Sequence, residues 1–290
     1  MDPSFKTVGL IGKYNSPEIA GPLLKLGAYL SGRGVKVIID RLTASNIGDS
    51  PYPVLTLDRI GHEADLAIVL GGDGTMLNIA RTLAPSDVEL VGINQGRLGF
   101  LTDISLGTMI ETIGTILDGS FVTEERMLIA AEVFDGAERV FDVLAFNEAV
   151  VSKGVKGSMI ELEVRIDGKF LYKLRADGLI AATPTGSTAY ALSSGGPIIH
   201  PSLSALALVP ICPHTFSSRP IVIGGDSEIE IVVNSAADAR AHFDSHSRFD
   251  LRAGYRVVVR RYAHTIRLLH PVGHDYYHML REKLHWTEFY

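Results

Sequence analysis

Short apolar runs alternate with helix-patterned segments from residue 5 to residue 118, and this alternation restricts the fold more than any other feature. Residues 5–11, 35–40, 66–70 and 89–94 read as buried strands. Residues 17–33, 76–83 and 106–118 carry helical patterning, the first with Ser16 as a cap and Gly34 as a stop. Strands separated by helices pair in parallel, because a parallel neighbour requires a crossover. The expectation is a parallel sheet covered by helices.

Near Phe121 the pattern changes and strands dominate: 127–135, 139–152, 159–166, 169–174, 178–182, 227–234, 240–243, 255–261 and 265–270. Asp167-Gly168 between two alternating runs is a hairpin turn signal. Residues 275–284 read as a helix. The fold class expected is an α/β N-terminal domain followed by a β-rich C-terminal domain. The first spans residues 1–120, with residues 275–290 expected to pack back on it; the second spans 121–274.

Composition removes several function classes. The chain has 290 residues and a net charge of −6, with no Lys/Arg run. A basic face is the usual mark of a nucleic-acid binder, so nucleic acid is not an expected partner. Cys212 is alone, which excludes an intrachain disulfide and a cysteine-based zinc site; it reads as a small buried residue. No apolar stretch approaches the ~20 residues of a membrane span. With no membrane partner and no leader pattern, the expected setting is the cytoplasm.

Gly71-Gly72-Asp73-Gly74-Thr75 lies between an apolar strand and a helix. Glycines let a backbone approach a phosphate closely, and a helix start offers unpaired N–H groups to an anion. A carboxylate repels phosphates unless it binds metal or takes a proton. Asp73 is therefore a candidate base or metal partner. The alternative is an ordinary turn in which Asp73 caps the helix. The run is neither a Walker A loop, since no Gly-Lys-Ser/Thr follows, nor a Gly-x-Gly-x-x-Gly fingerprint.

Two further stretches carry chemistry. Thr183-Pro184-Thr185-Gly186-Ser187-Thr188-Ala189-Tyr190 is dense in hydroxyls and turns helical near Thr188; Tyr190 is placed to stack on a base. A capped turn explains the same residues as well. Asn147-Glu148 ends an apolar run, and an amide beside a carboxylate suits the two hydroxyls of a ribose. A polar strand end is the plainer reading.

Together these motifs, with Asn94-Gln95-Gly96-Arg97-Leu98-Gly99-Phe100-Leu101-Thr102 and Asp177-Gly178, resemble the NAD kinase family over nearly the whole chain. The Thr-Pro-Thr-Gly-Ser-Thr-Ala-Tyr run is specific to it, whereas diacylglycerol and sphingosine kinases share the glycine turn. The resemblance implies ATP-dependent phosphorylation of NAD at the 2′-hydroxyl of its adenosine ribose, with a divalent metal, Mg²⁺ or Mn²⁺. It implies Asp73 as general base, and Gly72, Gly74, Thr75 and Asn78 near the nucleotide. It implies Asn147 and Glu148 as the pair holding NAD, Asp177 toward the nicotinamide half, and Phe100 beside the adenine pocket. Thr188, Ala189, Tyr190 and Ser193 match substrate-lining positions, and Arg175 is placed to meet a phosphate or ribose. Gln95, Asn78 and His246 depart from the family's usual residues, with Arg97 two places beyond Gln95. The alternatives are a lipid or sphingoid kinase sharing the glycine turn, and a non-catalytic dinucleotide sensor.

The resemblance also implies a homodimer or homotetramer, with which apolar strands such as residues 229–233 are compatible if exposed. His270, His274 and His278 lie close in sequence, the last two at helical i, i+4 spacing beside Asp275. They read as a surface helix rather than a zinc site. Trp286, Phe289 and Tyr290 form an apolar tail.

Overall fold

Strand β4 (Leu66–Leu70) is buried at all five positions, as a strand covered on both faces must be. In the computed structural model, which describes residues 4–96, 98–155, 158–215, 217–235 and 238–286, it lies inside a parallel sheet. The chain divides into two units, one of residues 1–125 with 266–290 and one of residues 126–265.

In the first unit, β1 (Thr7–Gly12), β2 (Lys36–Asp40), β3 (Val54–Leu55), β4 and β5 (Glu89–Asn94) pair in parallel in the order β5-β4-β1-β2-β3. The short β6 (Ile104–Ser105) adds to β5. Helices α1 (Ala20–Gly32), α2 (Arg41–Ala44), α3 (Leu57–Glu63), α4 (Asp73–Leu83) and α5 (Met109–Leu117) connect them. Leu23, Leu26 and Leu30 of α1 and Ile113, Ile116 and Leu117 of α5 fill one core with Leu10, Ile68 and Val91. Each such side chain contributes about 1.5–3 kcal/mol when fully buried.

The second unit is antiparallel. It contains β8 (Glu138–Ala145), β9 (Glu148–Lys153), β10 (Ile160–Ile166), β11 (Lys169–Ala176) and β12 (Gly178–Ala182). These are followed by the short α6 (Tyr190–Ser193), then β13 (Ala205–Ile211), β14 (Ile221–Gly224), β15 (Ile229–Ser235), β16 (Ala239–Phe243) and β17 (Ser247–Leu251). One sheet runs β14-β13-β12-β9-β16-β17; β10, β11 and β15 lie in the other. Side chains of both sheets share a single core. Two long strands span the unit boundaries: β7 (Phe121–Asp135), which enters the second unit at Arg126, and β18 (Tyr255–Pro271), which leaves it at Ile266. Leu268 of β18 then pairs in parallel with Leu90. Helix α7 (Tyr276–Leu284) belongs to the first unit and starts at Asp275, whose carboxylate accepts the Tyr277 N–H at 2.8 Å.

The Asp167-Gly168 hairpin forms as read, with φ of 51° and 73°, the two positive values that a type I′ turn needs. Several other expectations change. Helix α4 starts at Asp73, three residues before the apolar pattern shows it. The segment from 17 opens as a 3₁₀ turn, Pro17–Ile19, before α1. The strand expected over 139–152 breaks at Phe146-Asn147, where amide groups turn away from the ladder toward Asp244. Residues 229–233 are not an exposed apolar strand: Ile229, Ile231 and Val233 are fully buried in the sandwich. Cys212 is exposed, in a turn with φ of 45°. Arg97, Phe289 and Tyr290 lie outside the described residues.

Candidate functional site

The glycine turn of the first unit positions one acid. Gly72 is extended and caps α4 by position, and no side chain caps the helix. Its first amides are therefore open to an anion. Asp73 is the first helical residue and is half-buried. Its Oδ1 accepts the Leu101 N–H at 3.0 Å and the Thr102 hydroxyl at 3.2 Å; its Oδ2 accepts the Phe100 N–H at 2.9 Å. A carboxylate has about four acceptor positions. Three are used by the described residues, which leaves one on Oδ2. Gly99 allows this close approach, because a β-carbon there would overlap Asp73 Oδ1 and Thr102 Oγ1 and force one of them to shift. The expected capping alternative for Asp73 does not describe it: the side chain holds a distant loop.

The neighbours fall into place around that turn. Gly74 is exposed, and the Thr75 N–H donates to the Gly72 carbonyl at 2.9 Å. Asn78 lies one turn along α4, where its Oδ1 accepts from Arg81 at 3.0 Å. The Phe100 ring is partly exposed, with Lys283 Nζ 6.0 Å from its centroid.

In the second unit the organising residue is Asp244, to which the sequence analysis gave no role of its own. Its Oδ2 accepts the Phe146 N–H at 2.9 Å, and its Oδ1 accepts those of Asn147 at 2.7 Å and Glu148 at 3.2 Å. Asp244 itself has φ of 46°, which the β16–β17 turn imposes. Glu148 begins β9, is buried, and leaves Oε2 with no hydrogen-bond partner among the described residues. Burial first, and the Asp244 charge second, push its carboxyl up to about 8. A cavity of about 360 Å³ opens beside it, lined by Glu148, Val150, Ser152, Tyr190, His242 and Asp244, with Ser245. That size lies within the range of small-molecule pockets.

The hydroxyl-rich run is built differently from the expectation. Thr183 Oγ1 donates to the Phe146 carbonyl at 2.6 Å, and Ser187 Oγ donates to the Pro184 carbonyl at 2.6 Å. Thr185 is buried against Arg126. These hydroxyls fasten the turn rather than face a ligand. Gly186 packs directly on the Asn147 backbone, where a β-carbon would overlap the carbonyl. Thr188 donates to the Thr185 carbonyl at 3.2 Å; Ala189 is half-buried; Tyr190 and Ser193 are exposed. Of this run, Tyr190 lines the cavity.

Of the expected second-unit residues, Asn147, Arg175, Asp177, Thr188, Ala189, Ser193 and His246 do not line the cavity. Arg175 is exposed on β11, Asp177 is ion-paired with Lys153 at 2.8 Å, and His246 is exposed in the β16–β17 turn. His242 and Ser152 line it instead. Their signal was present only as alternate positions on the strand face turned away from the sandwich core, on strands whose pairing the sequence does not state. Of the three histidines, His278 is exposed on α7, whereas His270 is buried and stacks on His274 in the segment before the helix.

Residues 33–121 match the model of the ATP-NAD kinase N-terminal domain, and residues 146–270 match that of the ATP-NAD kinase C-terminal domain. The NAD kinase of Nitrosomonas europaea is 60% identical over 283 residues, covering 98% of this chain and 96% of that protein. The chain belongs to the NAD kinase family. The NAD kinase of Aromatoleum aromaticum is 53% identical, covering 99% of this chain and 96% of that protein. Among solved structures, yeast NADH kinase complexed with NADH superposes with a TM-score of 0.91 at 25% identity, covering 100% of this chain and 90% of that one. An NAD kinase from Archaeoglobus fulgidus in complex with ATP gives a TM-score of 0.74 at 26% identity, covering 96% and 98%. A member of the NAD kinase family is a phosphotransferase, and the lipid-kinase and silent-sensor alternatives give way to that assignment. The two-domain NAD kinase fold expected from the motifs is the fold present.

Proposed function

We propose that the chain transfers the γ-phosphoryl group of ATP to the 2′-hydroxyl of the adenosine ribose of NAD, with Asp73 as the base. The observation that carries this is the open acceptor position on Asp73 Oδ2, in a carboxylate otherwise fixed by two amides and a hydroxyl. A base must be held still and still have a lone pair to give, and Asp73 meets both conditions. Gly72, Gly74, Thr75 and the uncapped start of α4 cradle phosphate, with Asn78 one turn along.

Asn147, Glu148 and Asp177 hold NAD. Support comes from the unpartnered Glu148 Oε2, which lines the cavity and suits the hydroxyl donors of a ribose. Tyr190 offers its exposed ring as a stacking surface, and Phe100 does the same in the first unit. Arg175, Thr188, Ala189, Ser193 and His246 are further contacts in this reading, and like Asn147 and Asp177 they lie outside the cavity lining.

Phosphoryl transfer also calls for Mg²⁺ or Mn²⁺. Asp73 is committed to the ribose proton in this reading, so the triphosphate's own hard oxygens would carry the ion beside the turn. When bound, the ion neutralises charge on the triphosphate. Acting in the cytoplasm as a homodimer or homotetramer completes the reading; among the described residues no helix is long and apolar enough to cross a membrane.

The deciding experiment is incubation of the protein with NAD, ATP and Mg²⁺, with NADP detected by a dehydrogenase that accepts only the phosphorylated cofactor. Failure to form NADP, with ATP consumed on another acceptor or not at all, would remove the reading.

A further inference from the structure

Asp103, His270 and His274 meet in the first unit, away from the glycine turn's own contacts. Both imidazoles aim Nδ1 at the same oxygen, Asp103 Oδ2, at 2.8 Å each. The rings stack with centroids 3.9 Å apart. His270 is fully buried, and the side chains of Asp103 and His274 are 7% and 11% exposed. Glu124 Oε2 lies 3.2 Å from His270 Nε2. Asp103 Oδ1, His270 Nε2 and His274 Nε2 are buried with no hydrogen-bond partner among the described residues, Glu124 lying within ion-pair distance of His270 Nε2 only.

As a set of hydrogen bonds this arrangement is poor. A carboxylate only accepts, so both Nδ1 atoms must carry protons to bond Asp103. His270 then needs a second proton to satisfy Glu124, and one carboxylate oxygen remains orphaned in the interior at a cost. A divalent cation resolves most of this. With both Nδ1 lone pairs on the metal, the neutral Nε2–H of His270 would have Glu124, 3.2 Å away, as the carboxylate to orient it once the ring turns. Asp103 Oδ1 gains a partner if the carboxylate binds through both oxygens.

We propose that Asp103, His270 and His274 form a zinc-type site, with Glu124 orienting His270. Two imidazoles and one carboxylate are a donor set for a borderline cation, not for Mg²⁺ or Ca²⁺. Three candidate ligand atoms already lie within 4.8 Å of one another. Zinc–nitrogen distances of roughly 2.0–2.1 Å require the nitrogen–oxygen gaps to open by roughly half an ångström, with the rings splaying as they do. The ion would fasten the turn before α7 to Asp103, and Asp103 follows Thr102, a donor to Asp73.

The test uses the full-length protein, stripped with EDTA and free of nucleotide. Titration with ZnCl₂ by calorimetry, and metal content after desalting, should show one equivalent per chain. Binding should weaken at least tenfold in His274→Phe, which keeps a ring but no ligand, and in Asp103→Asn. Glu124→Gln should weaken it about 10–100-fold through the orienting contact. Asp73→Asn should retain the full equivalent. Co²⁺ in place of Zn²⁺ should give visible d–d bands that are lost in His274→Phe. Absence of a tight equivalent in the wild type, or equal binding by wild type and His274→Phe with both folded by circular dichroism, would overturn the site.

Discussion

Asp244 grips the backbone of Glu148 from both sides: its Oδ1 accepts the Glu148 N–H at 3.2 Å, and its own N–H donates to the Glu148 carbonyl at 3.0 Å. Two more amides, Phe146 and Asn147, end on the same carboxylate. The backbone carrying Asn147 and Glu148 is thus set by a residue 96–97 positions away.

Asp244→Ala should therefore act on stability and on substrate binding together. Three largely buried amides lose their acceptor, at a cost on the order of 3 kcal/mol or more. Urea denaturation should show that loss, and KM for NAD should rise at least tenfold. Asp244→Asn should recover part of both, because one oxygen remains.

Glu148 gives a pH signature with a definite sign. Its folded carboxyl is pushed from its ordinary 4.5 up to about 8, so the folded chain keeps a proton that the unfolded chain has released. Folded stability contributed by this group is full below about 4.5, declines as pH rises toward about 8, and is level above. Denaturation midpoints measured across that window should fall in the wild type and stay flatter in Glu148→Gln. Parallel curves for the two proteins would contradict it.

Asp73→Asn should lower kcat by two orders of magnitude or more, the scale of a lost general base. NAD affinity by calorimetry should change less than threefold. Thr102→Val, which removes one donor to Asp73 and leaves both amides, should cost much less turnover. Near-normal kcat in Asp73→Asn would end its role as base.

Gly99→Ala tests the close approach on which the position of Asp73 depends. The added methyl overlaps Asp73 Oδ1 and Thr102 Oγ1, so the loop must move or the carboxylate must turn. We expect a drop in kcat of at least tenfold with about 1–3 kcal/mol lost in stability, the usual range for overpacking. Unchanged turnover would show that the loop yields freely.

What the sequence determined by itself was local. The apolar runs fixed a helix-covered parallel sheet in the first unit, Asp167-Gly168 fixed a hairpin, and the residue types at Gly71–Thr75, Asn147-Glu148 and 183–190 marked the family. What only the tertiary structure decided was where those groups spend their hydrogen bonds. Asp73 reaches 27–29 residues along the chain, Asp244 reaches back 96–98, and Asp103 meets histidines 167 and 171 residues away. The reason is physical. Periodicity and turn preference come from interactions within a few residues, whereas a carboxylate's partners are chosen by strand register and loop closure across the whole unit. The same limit left the hydroxyls of Thr183 and Ser187 open between ligand groups and a capped turn, where they fasten the turn, and set His270 among the histidines of a surface helix when it is buried in the interior.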